Sequence, residues 1–331
     1  MVLGGVFLAV LSGICNGLFT APMKLAKAWK WENIWLVFIL VACVAMPVAM
    51  VFGLAPGSPA ILERAPRGAV AAALAFGFTW GFGAICFGRS VDHLGVSIAN
   101  SLVIGLSAAL GSLVPLLMRG SFQAGAREWV LFGGVGAFLA GVTLCGKAGR
   151  IRDGSLAAEG CMAGYLFAVA SGIISAIFNI GYTLALPISA AGVQLGYSPF
   201  ASTNCIWLLM LGAGAIPNVL YCSSMARKHG SGKLFFAQRS ARPWLLSAVM
   251  GLLWGGSIFL YGAATPRLGD LGPSVGWPLS LAAGLLVANL MGVWLGEWTG
   301  TAKRAVAFMR LGIALIFFAI VLCSLSARIG A

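Results

Sequence analysis

The chain has 331 residues, of which 60% are hydrophobic and 9% charged, and its mean hydropathy is +0.98. A soluble globule of this length would have too little polar surface to cover its core, so the composition describes an integral membrane protein. The formal charge of +13 does not indicate nucleic acid, because the basic residues stand singly between apolar runs rather than in one tract.

A helix needs about 20 mostly apolar residues to cross the hydrocarbon. Ten stretches meet that, in chain order about 3–23, 33–54, 69–91, 95–118, 129–148, 161–187, 199–222, 243–266, 271–296 and 304–327. The first lacks a basic n-region and a small-residue cleavage site, and reads as a span rather than a removable signal peptide. A corner over residues 19–35 follows, setting Lys24, Lys27, Lys30 and Glu32 among Trp29, Trp31 and Trp35. Glycine, 46 residues in all, lets helices approach closely in lipid. Pro22, Pro47, Pro115, Pro187, Pro217 and Pro278, in or at the ends of spans, predict kinks.

Loops after odd-numbered spans, with their flanks, hold fifteen of the 21 lysines and arginines. The positive-inside rule therefore puts these loops in the cytoplasm and both termini outside. The corner is then cytoplasmic, as is the basic loop over 221–244, while 188–198 reads as an uncharged outer loop. The eight cysteines show no Cys-x-x-Cys and no histidine at metal spacing, so they read as small core residues and imply no metal or cofactor.

The two halves resemble each other. Residues 7–14 match 166–173, Phe19 falls opposite Phe178, and Ile34-Trp35 returns as Ile206-Trp207. Trp80-Gly81, Gly88 and Leu94-Gly95 return at constant spacing as Trp254-Gly255, Gly262 and Leu268-Gly269, and Leu144-Cys145 matches Leu322-Cys323. The offset grows between the first and second pairs of spans, which places an insertion in 188–198. Five spans is an odd number, so the halves enter the membrane in opposite senses. The expected fold is an all-α integral membrane protein of ten transmembrane helices in two inverted five-helix repeats, residues 1–150 and 151–331.

A small polar substrate needs amide or hydroxyl partners and an apolar or aromatic wall inside the bundle. Side chains of those kinds at mid-span depth are Asn16, Trp80, Asn100, Asn179, Tyr182, Asn204, Trp254, Tyr261 and Trp277, with Trp207 and Asn289 at similar depth. The alternative for each asparagine is a bond to a neighbouring helix, and for tryptophans near span ends an interfacial anchor. No carboxylate lies at a span centre; Asp92 with His93, and Asp270, are the proton-coupling candidates. Lys24, Lys27 and Glu32 are gate candidates at the corner, Glu32 and Glu297 reading as partners for the corner lysines or for Lys303 and Arg304. No phosphate loop, nucleophile elbow or His-Glu-x-x-His is present, so an enzyme is not expected.

The corner, Phe19-x-Ala-Pro-x-Lys-x-x-Lys-x-Trp-x-Trp-Glu-x-x-Trp35, resembles the start of the L-rhamnose–proton symporter family, within the drug/metabolite transporter superfamily of five-plus-five carriers. Trp80-Gly81 with Leu94-Gly95, Trp254 with Tyr261, Trp277 and Gly296-Glu297-Trp298 extend the resemblance from end to end. It implies an inner-membrane carrier that takes up a 6-deoxyhexose or similar sugar with a proton, by alternating access, with the lipid bilayer and the sugar as partners and no protein partner inferred. The ninth span departs from the rhamnose carriers, reading Gly272-Pro-Ser-Val-Gly-Trp-Pro-Leu without their tyrosines and aspartate. That departure leaves open a superfamily carrier that exports or exchanges another small metabolite. The alternative of a different class is a channel or structural membrane subunit.

Overall fold

The computed structural model describes residues 2–94, 96–118, 125–152, 162–237, 241–294 and 298–329. Among them it is all helical, without strands. The α-helices are α1 (Val2–Leu18), α2 (Trp31–Ile39), α3 (Met46–Leu54), α4 (Ser58–Arg64), α5 (Arg67–Trp80), α6 (Gly83–Leu94) and α7 (Val96–Leu117). They continue with α8 (Ala126–Arg152), α9 (Met162–Gln194), α10 (Pro199–Lys228), α11 (Ala241–Ala264), α12 (Gly272–Trp294) and α13 (Lys303–Arg328). Among the described residues, eight helical stretches are long and apolar enough to cross a membrane, and Val2–Leu18 and Leu102–Leu117 are shorter apolar helices.

Local sequence sets where the helices start, bend and stop. Ser198 caps α10 by accepting the Ala201 N–H at 3.2 Å, and Pro199, which has no N–H to satisfy, takes the first helical position. The second span passes from α2 to α3 through a π-helical turn, Leu40–Ala45, just before Pro47. Proline cannot bond the carbonyl four residues back, and the widened turn absorbs that gap. The expected third span is two helices, α5 and α6, parted at Gly81-Phe82. Between α11 and α12 a 3-10 segment, Thr265–Leu271, contains Gly269 at φ 72°, a conformation that a Cβ disfavours. The expected outer loop at 188–198 is mostly helix: α9 continues to Gln194, because 184–194 stays largely apolar and its two breakers, Pro187 and Gly192, stand singly.

The chain forms two compact units, each taking segments from both sequence halves. Unit 1 comprises Met1–Gly17, Gly83–Ile180 and Ala264–Ala331; unit 2 comprises Leu18–Phe82 and Gly181–Ala263. In unit 1, α8 packs along α13 through Gly134, Gly141 and Gly312, with Phe138, Val142, Ile316 and Ala319 filling the seam. Gly13 and Gly17 of α1 lie against the backbone of α12 at Ser280 and Gly284, where an added Cβ would collide with carbonyl oxygens. In unit 2, α10 is the central helix. Gly77 of α5 rests on the backbone of Met210, and Gly251 and Gly255 of α11 face Val41, Ala42 and Met46 of the second span.

Where lipid tails are as apolar as side chains, close backbone contact supplies much of the cohesion between helices. Replacing Gly77 by valine should force α5 off α10 and destabilise the protein by about 1–3 kcal/mol. The check is the thermal midpoint of the purified protein in detergent; a midpoint equal to wild type would mean that this contact is not tight.

Candidate functional site

Unit 2 holds two aromatic groups of different character. Trp80 and Trp254, which occupy matching places in the two sequence halves, stack with centroids 5.2 Å apart and planes 14° apart. Both are half-buried, so the pair keeps exposed surface. Phe38, fully packed, meets Trp254 edge-on at 5.8 Å and continues to Trp35 at 4.7 Å, which stacks on Trp31 at 5.1 Å. The second group is closed. Tyr182 stacks on Trp207 at 4.5 Å with planes 5° apart, and Tyr261 tilts against both; all three are buried. Asn204, on α10 one turn before Trp207, is fully buried, and neither amide atom is hydrogen-bonded among the described residues.

Asparagines elsewhere serve broken helices. Asn218 of α10 accepts from the Trp35 indole at 3.2 Å and donates to the carbonyls of Gly81, where α5 has ended, at 2.9 Å and Gly214 at 3.0 Å. In unit 1, Pro115 cannot bond the carbonyl of Gly111, and the Asn179 amide donates to that oxygen at 2.6 Å and to Pro273 O at 3.1 Å. Trp277, packed on Gly111, donates to Ser107 O at 3.0 Å and lies 6.4 Å from Phe178. Ser12 of α1 bonds Ser280 of α12 at 2.8 Å, and Asn16, half-buried one turn further along α1, lies over Gly284.

At the corner, Glu32 is 3% exposed in the first turn of α2, where the helix N-terminus favours a carboxylate. Its partners among the described residues are Ser231 Oγ at 2.7 Å and His229 Nδ1 at 3.0 Å, and of the corner lysines with described side chains neither Lys27 nor Lys30 pairs with it. The reason is depth: Glu32 faces the segment after α10, whereas Lys27 is exposed. Asn33 Nδ2 donates to Ser231 O at 3.0 Å and Trp29 Nε1 to Leu234 O at 3.1 Å, pinning the corner to the 3-10 helix Ser231–Phe236.

A family profile for the L-rhamnose-proton symport protein (RhaT) matches residues 1–328. The chain belongs to that family. Curated L-rhamnose-proton symporters of Salmonella dublin, Salmonella enteritidis PT4 and Shigella flexneri are each 28% identical to it over 329 residues, covering 95% of both chains. A solved crystal structure at 15% identity superposes with a TM-score of 0.57 over 98% of each chain, which shows a shared fold.

Within the symporter family frame, the nine expected substrate residues divide by environment. Trp80 and Trp254 keep open surface and Asn16 is half-buried; Tyr182, Asn204, Tyr261, Asn179 and Trp277 are buried, the last two bonded to backbone. The departing stretch of the ninth span, residues 272–279, is buried throughout and holds α12 to α7 and α9. The side chains of Asn100, Asp92 and Lys24 lie outside the described residues, as does Glu297. His93 is exposed and stacked 6.1 Å from Phe167, and Asp270 is exposed in the 3-10 segment. Sequence reading missed Asn218, His229 and Ser231. Only Asn218 carried a signal, an amide directly after Pro217 within an apolar run.

Replacing Asn179 by leucine removes the donor to the Gly111 carbonyl and leaves a buried acceptor unsatisfied. The expected loss is about 1–3 kcal/mol of stability, read as a lower thermal midpoint in detergent; an unchanged midpoint would mean the amide is free for another partner.

Proposed function

We propose that this protein is a secondary transporter that carries a 6-deoxyhexose such as L-rhamnose inward across the bacterial inner membrane with a proton. The reading rests on the match to the L-rhamnose-proton symport family over nearly the whole chain, and the relatives' names supply the sugar and the proton. The observation in the molecule that carries it is the half-exposed Trp80–Trp254 stack. A 6-deoxyhexose presents a C–H face and a methyl group to such a surface, which aromatic rings receive well.

The transport cycle is alternating access between two inverted five-helix repeats, residues 1–150 and 151–331, in ten spans with both termini outside. Two features support the repeat: Trp80 stacks on its counterpart Trp254, and α8, the fifth span, packs along α13, the tenth. The sugar site is assigned to Trp80 and Trp254, with Asn16, Asn100 and Asn204 as the polar candidates. Tyr182 and Tyr261 act as the packed wall behind α10, and Asn179 and Trp277 as supports of α7 and α12. The proton is assigned to Asp92 and His93 at the end of α6, with Asp270 as the second candidate. Lys24, Lys27 and Glu32 belong to the inner gate, where the Glu32–Ser231–His229 contacts hold the corner closed.

Purified protein should show tryptophan fluorescence changes that saturate with L-rhamnose or another 6-deoxyhexose and not with sugar alcohols of the same size. Trp80→Ala and Trp254→Ala should each weaken that binding about tenfold, the loss of a stacking contact, with phenylalanine at either position restoring most of it. Binding of no monosaccharide would contradict the sugar assignment; full-strength binding by both alanine variants would move the site away from this pair.

A further inference from the structure

Unit 2 has an open groove of about 690 Å³ beside the corner, lined by Leu25, Lys27, Ala28, Ala241, Arg242 and Pro243. One wall is the chain just after the 3-10 helix Pro22–Leu25; the other is the first turn of α11. The volume falls in the range of small-ligand sites, about 300–1,000 Å³.

Charge, backbone and rim restrict what could occupy it. Lys27 and Arg242 are exposed, and neither side chain makes an ion pair or hydrogen bond among the described residues. The nearest corner carboxylate in sequence, Glu32, is buried and taken by Ser231 and His229. Among the described residues, two positive charges therefore face the groove uncompensated. The first N–H groups of α11 have no intrahelical acceptor and add the positive end of its dipole. The rest of the rim is apolar: Leu25 is 56% exposed, Ala28 and Ala241 are open, and Trp244 and Leu245 continue along α11. α11 begins one of the stretches long and apolar enough to cross a membrane, so its first turn falls at headgroup depth. Trp244 there, donating to Phe235 O at 3.1 Å, is an interfacial anchor.

A free anion would meet the two cations and leave the apolar rim wet. A zwitterionic lipid would cover the rim but bring its own cation against Lys27 and Arg242. We propose that this groove binds the phosphate head of an anionic phospholipid, which ties the corner to the start of α11. Basic pockets beside transmembrane helices recognise lipid heads in this way. The inference needs the protein to lie in a membrane but is independent of the sugar it carries.

The test uses the full-length protein in neutral detergent, titrated with dioleoylphosphatidylglycerol or dioleoylphosphatidylcholine and read by native mass spectrometry without sugar. Phosphatidylglycerol should bind at least tenfold more tightly. The double variant Lys27→Gln/Arg242→Gln should lose about 25-fold, about fivefold for each cation, with phosphatidylcholine binding unchanged. Lys228→Gln/Lys233→Gln, the same charge change on exposed residues outside the groove, should alter binding less than twofold. An equal loss in that control pair would mean general surface attraction, and full competition by millimolar inorganic phosphate would mean a free-anion site; either overturns the proposal. Should the double variant fail to fold, Ala28→Trp fills the groove without changing charge and must give a comparable loss, and undiminished binding by it overturns the proposal too.

Discussion

A peptide group in lipid has no water to fall back on, so each break in a spanning helix must be satisfied from within the protein, at a cost of several kcal/mol where it is not. This chain interrupts its helices at Gly81-Phe82 and around Gly269, and loses ladder hydrogen bonds at Pro47, Pro115 and Pro217 inside helices that continue. Much of its polar interior answers those breaks. Asn179 reaches the carbonyl that Pro115 leaves open, Asn218 bonds the Gly81 carbonyl at the end of α5, and the π-helical turn takes up Pro47. The breaks in turn place Trp80 at the last residue of α5, where its ring can lie flat on Trp254.

Glycine completes the scheme. Helices that meet backbone to backbone, as α1 does with α12 and α5 with α10, have little tolerance for added volume but need few large side chains to hold them. The large aromatic residues are thereby free to gather in unit 2, one set closed around Trp207 and one set keeping open surface at Trp80 and Trp254. Polar contacts between the corner and the segment after α10 then give one end of unit 2 a fixed shape, with buried Glu32 bonded by both His229 and Ser231 and Asn33 beside it bonded to the Ser231 carbonyl.

The all-helical membrane character was legible because runs of about twenty apolar residues leave few alternatives, with eight stretches among the described residues long and apolar enough to cross, and the corner was legible because charge stands out among apolar runs. Trp80 and Trp254 could be paired from sequence by their equal place in the two halves. The asparagines could not be sorted. Asn179 and Asn204 look alike in sequence, yet one meets a carbonyl opened by a proline 64 residues away and the other is buried with no partner among the described residues. For Glu32 the sequence offers the corner lysines or Lys303 and Arg304, because like and unlike charges are all it shows; its partners among the described residues lie almost 200 residues on, at His229 and Ser231. The helical extension of α9 to Gln194 reads as a loop in the sequence because the stretch after Pro187 carries no charge and no clear period.

The central claim is that this fold moves a 6-deoxyhexose by means of a proton gradient. It is tested most directly in proteoliposomes containing only this protein, with labelled L-rhamnose equal on both sides and an inward proton gradient imposed. The account predicts that the sugar accumulates inside above its outer concentration and runs back out when a protonophore is added. Equal concentrations before and after the gradient, in vesicles that still exchange the sugar, would contradict proton coupling; no saturable sugar movement at all would contradict the account itself.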